Sequence, residues 1–224
     1  MPIPEYDPTS WQLILDAGGR CADRRSEFAN RYGAVVRAYL EARWGGRGRR
    51  GAIDDALQNV FVECFRRGGV LERVRADRPD SFRAFLLGVT RNVALRTEQR
   101  DGGRGEQRLD TEVMRGEAGP GALEPEQAFE RRWARAMIAE ALQATVARHP
   151  EDRTAELFEL RFEQGLPIRE IAGRWGCEAE ELHRLYARAR RRFGVCLRQV
   201  VAQHEACSEQ QLDGECARLL ALLQ

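Results

Sequence analysis

The 224-residue chain contains no lysine: all 36 of its basic residues are arginine, set against 35 acids for a formal net charge of only +1. An all-arginine complement favours bidentate phosphate and carboxylate contacts, and a genome rich in G and C would produce the same bias. No run of eighteen apolar residues occurs, so no membrane-spanning helix is predicted. The opening residues, Met1 to Pro8, lack the basic end and the apolar stretch of a signal peptide, and the expected location is the cytoplasm. Histidine is scarce: His149, His183 and His204 show no spacing suited to a catalytic triad, and no glycine-rich loop follows a strand. An enzyme is therefore not expected. The six cysteines form no Cys-x-x-Cys pair, and Cys64 falls on an apolar helical face, the pattern of reduced thiols used as small hydrophobes. A metal-binding tail built from Cys196, His204, Cys207 and Cys216 matches no common zinc spacing. No metal and no cofactor are expected.

What is present is strongly divided along the chain. Residues 27–100 carry fifteen arginines against nine acids, a net of +6. Residues 101–128 carry three against seven, a net of −4, and residues 201–224 one against four, a net of −3. The basic block is a candidate polyanion binder. The stretch 101–128, with six glycines, two prolines and no sustained apolar period, reads as a linker.

Most of the remainder shows helical periodicity. Thr9 or Ser10 caps a short helix carrying Trp11 and stopped at Gly18 and Gly19. A longer helix from about Ser26 to Trp44 carries Phe28, Tyr32, Val35, Val36, Tyr39 and Leu40, and ends in a basic glycine loop at 45–51 that reads as a solvated connection. The next, from about Ile53 to Arg67, buries Ile53, Leu57, Val60, Phe61 and Cys64 and leaves Asp55, Gln58, Asn59 and Val62 on the opposite side. An apolar residue among short polar ones is the composition of a contact surface, or of an ordinary exposed face.

The strongest helix signal is residues 81–100. Ser81 is a candidate N-cap, and Phe82, Phe85, Leu86, Val89 and Val93 form one apolar stripe. At 3.6 residues per turn Gly88, Asn92 and Gln99 line one flank, with Arg83, Arg91 and Arg96 elsewhere on the circumference. Amides bond base edges and guanidiniums hold phosphates, so this is the inventory of a nucleic-acid surface or of a solvated arginine-rich helix.

Beyond the linker, Phe129, Trp133, Met137, Ile138, Leu142 and Val146 form a drifting stripe up to His149-Pro150, and a helix over about Glu151–Gln164 carries Leu157, Phe158, Leu160 and Phe162. Residues 167–193 read as a helix-turn-helix. Ile171, Ala172 and Trp175 pack the first helix, Gly176 permits the turn, and Leu182, Leu185, Tyr186, Ala189 and Phe193 bury the second. Arg184, Arg188, Arg190, Arg191, Arg192 and Arg198 then occur with no acid between Leu182 and Gln203. Finally, Ser208 to Gln211 is a capping-box pattern opening a helix over 208–223 with Leu212, Cys216, Leu219, Leu220 and Leu223 on one face. That stripe requires a dock: the basic block, which charge favours, the helix-turn-helix domain as an extension of its core, or a separate protein.

The stretch Asp54 to Phe61, followed by Phe82 to Leu95, resembles domain 2 of the extracytoplasmic-function sigma factors of bacterial RNA polymerase, and Ile168 to Phe193 is similar to their domain 4. The resemblance covers most of residues 27–200, and Thr9 to Trp11, Phe129 to Ala134 and the leucine-rich end are similar to a subgroup with extended termini. It implies an all-α fold of two small helical domains: an extension at 1–25, a sigma domain 2-like unit at 26–100, an acidic flexible linker at 101–126, a helix-turn-helix domain 4-like unit at 127–200 and a tail helix in 201–224. By resemblance the function is promoter-specific transcription initiation. The implied partners are the clamp helices of core RNA polymerase and promoter DNA, with room for an anti-sigma or signalling partner.

The same resemblance distributes the candidate residues. Asp55, Gln58, Asn59 and Val62 would face the polymerase. Arg83, Gly88, Arg91, Asn92, Arg96 and Gln99 would serve the minus-ten element, Asn92 capturing an unstacked base beside a pocket shaped by Val74 to Ser81. The linker would thread the channel later used by RNA. Glu180, His183, Arg184, Arg188 and Arg191 would lie on the recognition helix. There the chain departs from the family, with Glu178 in place of the usual hydroxyl cap and Glu180 and Glu181 following it. Carboxylates suit a helix N-terminus but repel phosphate. A carboxylate accepts a hydrogen bond from cytosine N4, so Glu180 is expected at a base edge. The rival reading is a stand-alone helix-turn-helix regulator that acts without polymerase.

Overall fold

Apolar residues at helical spacing, Phe28, Tyr32, Val35, Val36, Tyr39, Leu40 and Trp44, are all buried on one side of helix α1 (Ala22–Trp44). In the computed structural model, which describes residues 22–45, 50–66, 81–102, 123–205 and 208–223, every regular element among those residues is helical. The fold is all-α. The expected helix at 9–19, the pocket segment 74–80 and most of the linker lie outside the described residues. The chain divides into two compact units, one running to Ala136 and taking in the segment from Gln203 to Cys207, the other comprising Met137–Ala202 and Ser208–Leu222.

In the first unit α1, α2 (Arg50–Phe65) and α3 (Phe82–Gly102) pack on one another pairwise. The stripe of α3 matches expectation at Phe82, Leu86, Val89 and Val93, with Thr90 and Ala94 also buried. Ser81 Oγ accepts the Ala84 N–H at 3.0 Å, which makes Ser81 the N-cap that its position suggests. The core is aromatic at this end, with Phe28 set edge-on to Tyr32, Phe65 and Phe82 at centroid distances of 4.7, 5.4 and 5.9 Å. Such pairs add about 0.5–1.5 kcal/mol each beyond the area they bury. At the far end a charged clamp closes the bundle. Glu98 receives Arg43 in a two-pronged contact at 2.7 and 2.9 Å and Trp44 Nε1–H at 2.8 Å. The bond to Glu98 strengthens the Arg43 guanidinium's hold on its proton.

The first part of α4 (Pro125–Arg148) also belongs to this unit. Trp133 stacks on Tyr32 at 5.9 Å and meets Phe82 at 6.2 Å. The sequence reading groups Phe129 and Trp133 with the domain at 127–200, whereas both bury their rings in the first unit. The returning segment adds His204, fully buried, whose ring stands edge-on to Trp133 at 5.5 Å and whose carbonyl accepts the Phe82 N–H at 3.4 Å.

The second unit continues α4, with Met137, Ala141 and Thr145 buried. A helix expected over 151–164 is instead broken: a 3₁₀ turn at Pro150–Asp152, Arg153 in the left-handed region at φ 47°, α5 (Thr154–Phe158) and a π turn at Glu159–Glu163. Then come α6 (Ile168–Trp175) and α7 (Ala179–Ala202). Ile171, Ala172, Leu182 and Ala189 join Leu157, Phe158 and Leu160 in one cluster, so α6 and α7 share the core that the motif implies. Gly176 adopts φ 65°, Cys177 N–H bonds the Ala172 carbonyl at 3.1 Å and Gly176 N–H that of Gly173 at 3.4 Å. This is a Schellman stop, which places a glycine where a side chain would be strained. Helix α8 (Glu209–Ala221) opens with the expected capping box of Ser208 and Gln211. It packs on α7, burying Leu212 and Leu219, and so extends the second unit's core.

Candidate nucleic-acid and partner surfaces

On α2 the residues not needed by the core fall together. Asp55, Gln58, Asn59 and Val62 are all exposed, Val62 at 54%. Their spacing of i, i+3, i+4 and i+7 puts them on one face.

On α3 the exposed arc holds Asn92, Arg96 and Gln99, with Gly88 half-buried among them and Arg91 at its rim. A Cβ at Gly88 would meet nothing within 4 Å, so its glycine is not demanded by packing and leaves a gap beside Asn92. Leu95, 38% exposed, lies on the same arc, three residues from Asn92 and four from Gln99. Its spacing from Asn92 and Gln99 is the signal that reveals it, although a leucine in an apolar helix is read first as core. Arg96 donates to Glu63 of α2 at 3.2 Å, so the α2 and α3 faces adjoin across this bridge.

Arg83 does not belong to that surface. Nine residues from Asn92 is two and a half turns, which carries the side chain to the opposite side of α3. There it is 19% exposed and pairs with Glu130 at 2.5 Å and Glu205 at 3.2 Å. In this position it is an internal tie of the first unit.

In the second unit Glu180, His183, Arg184, Arg188 and Arg191 are all exposed on α7. Glu180, Arg184, Ala187 and Arg191 follow at four, three and four residues and share a face. Leu182 N–H bonds the Glu178 carbonyl at 3.1 Å, so Glu178 opens the helix through its backbone. Arg184 and Arg191 make no ion pair with any described residue. Arg188 differs. Its Nε and terminal nitrogen meet Asp152 at 3.1 and 3.0 Å, and Arg192 reaches the other Asp152 oxygen at 2.5 Å. Asp152 is fully buried beneath these two guanidiniums. Arg188 thus ties α7 to the 3₁₀ turn while its side chain stays 48% exposed. Arg192 also pairs with Glu151 at 2.9 Å. A backbone hydrogen bond, followed by the contact with Arg192, holds the Glu151 carboxyl below the usual range. Arg190 lies over the Tyr186 ring at 5.7 Å.

The described residues contain no cluster of three or more histidine, cysteine, aspartate or glutamate side chains suited to a metal. Cys64 is buried and its thiol is pushed up to about 12, chiefly by burial, which makes it unreactive. No described helix is long and apolar enough to cross a membrane. Set against protein-family models and against curated proteins, the chain matches none.

Proposed function

We propose that this chain is a sigma factor of the extracytoplasmic-function type, which binds core RNA polymerase and directs it to promoters in the cytoplasm. The observation that carries this reading is the pair of adjoining faces in the first unit. One presents Asp55, Gln58, Asn59 and Val62, and the other Asn92, Leu95, Arg96 and Gln99 around the gap at Gly88. The first is suited to a protein partner, since its exposed valine would be covered on binding. The second is suited to an unstacked base. Asn92 supplies both donor and acceptor, Leu95 an apolar surface, and Arg96 and Arg91 the charge for flanking phosphates.

The division of labour follows from this chemistry. Holding a flipped base offsets an unstacking cost of a few kcal/mol, so the α3 face must return a comparable amount through hydrogen bonds and packing. No bond is made or broken on the DNA by this protein. The helix-turn-helix of the second unit would dock the upstream element, with Arg184 and Arg191 on phosphates and Glu180 at a cytosine edge.

A pull-down with purified core polymerase, paired with duplex-binding titrations of the chain alone, tests the reading. Stable association with core and weak duplex binding without it are expected. Tight, sequence-specific duplex binding together with no retention on core would instead establish a stand-alone helix-turn-helix regulator.

A further inference from the structure

The acid-free run of α7 carries six arginines, but the folded second unit leaves few of them uncompensated. Arg188 and Arg192 are committed to Asp152, and Arg198 pairs with Asp213 of α8. The third commitment differs in kind from the other two. Asp152 is buried and holds the fold together, whereas the side chain of Asp213 is 70% exposed, and it meets an arginine that lies on the same face of α7 as Arg184 and Arg191. The three arginines stand at i, i+7 and i+14, about 10.5 Å apart along the helix, on a stripe that drifts only some 20° per step. Two of them pair with no acid among the described residues, and the third is masked by a carboxylate from the tail.

We propose that Arg198 is a third phosphate contact of α7, withheld by Asp213, so that this ion pair sets how many phosphates the second unit engages. This rests on the reading of α7 as a helix that docks on duplex DNA. An exposed ion pair shifts an equilibrium by no more than about fivefold, so Asp213 is a small barrier that a phosphate can displace. Freeing one guanidinium adds about one released counterion to binding, which steepens the dependence of log K on log salt by about 0.9. The anchor of α8 is apolar, through Leu212 and Leu219, so the ion pair can open without undocking the helix.

The test uses the full chain and a short duplex of random sequence, with affinity read by fluorescence anisotropy across a salt series. Asp213→Asn is expected to bind up to about fivefold more tightly at low salt, with a slope steeper by about 0.9. Asp213→Glu, which keeps the charge, should retain the parent slope, and Asp213→Asn combined with Arg198→Ala should return to it. An unchanged slope in Asp213→Asn, in a series where Arg184→Ala makes the slope shallower, overturns the role of Arg198 and leaves α7 as a DNA helix. If Arg184→Ala and Arg191→Ala also leave the slope unchanged, α7 does not contact phosphate, and the proposal falls together with the reading beneath it.

Discussion

Asp152→Ala removes the anchor that Arg188 and Arg192 share among the described residues, and its cost can be worked from the contacts. Three N–H···O approaches at 3.1, 3.0 and 2.5 Å converge on one fully buried carboxylate. Hydrogen bonds to charged groups contribute about 1.5–3 kcal/mol each, and stripping one partner from a fully buried pair costs about 3–5 kcal/mol. Here the arginine side chains retain 48% and 29% exposure, so both guanidiniums can turn to water once the carboxylate is gone. That relief lowers the expected loss to about 2–3 kcal/mol. In a unit of this size the loss corresponds to a fall in Tm of roughly 8–24 °C. Urea unfolding of the full chain, followed by far-UV circular dichroism and fitted for two transitions, reads this directly. The transition assigned to the second unit should move and the other stay. Adding Arg188→Ala to Asp152→Ala should cost little more, because the partner it would lose is already absent. A loss below about 0.5 kcal/mol would refute the reasoning, since that is the scale of a solvated surface pair.

Other perturbations separate the two faces of the first unit from its core. Val62→Glu is expected to weaken association with core polymerase, measured by competition binding, while leaving the melting temperature within a degree or two, because the side chain is already exposed. Asn92→Ala should reduce promoter melting, seen as weaker permanganate reactivity of the open complex, more than it reduces polymerase binding. Gly176→Ala forces a side chain into the left-handed region and should destabilise the second unit by about 1–2 kcal/mol in denaturant unfolding. Cys64 should resist alkylation at pH 8 in the folded chain, as read by peptide mass spectrometry. With the folded thiol at about 12, its contribution to stability is intact below the unfolded thiol pKa and is lost as pH rises above it, because only the unfolded chain then ionises.

The sequence was most informative where the cause of structure is local. The stripe of α1, the Ser81 cap, the Gly176 stop and the capping box at Ser208 each depend on residues within a turn or two, and each is found as read. The arginines were harder because their partners are remote. Arg83 is satisfied by acids 47 and 122 residues away, and Arg188 by one 36 away, separations that helical periodicity cannot encode. The drifting stripe of α4 has a related cause. Phe129 and Trp133 bury into the first unit and Met137, Ala141 and Thr145 into the second, so no single face runs the length of the helix. His204 gave no signal of its packing: an isolated histidine in an acidic tail carries nothing to announce that its ring stands edge-on to both Tyr32 and Trp133. The exposed faces of α2 and α3 were legible because the core stripes define them by exclusion.

The most direct test of the central claim is transcription itself. Purified core polymerase, a pool of genomic fragments and this protein would be combined, and the 5′ ends of the transcripts sequenced. The account predicts discrete start sites that appear only when the protein is added and that Asn92→Ala suppresses without releasing the protein from core. Transcripts independent of the protein, or none from any fragment despite stable binding to core, would contradict it.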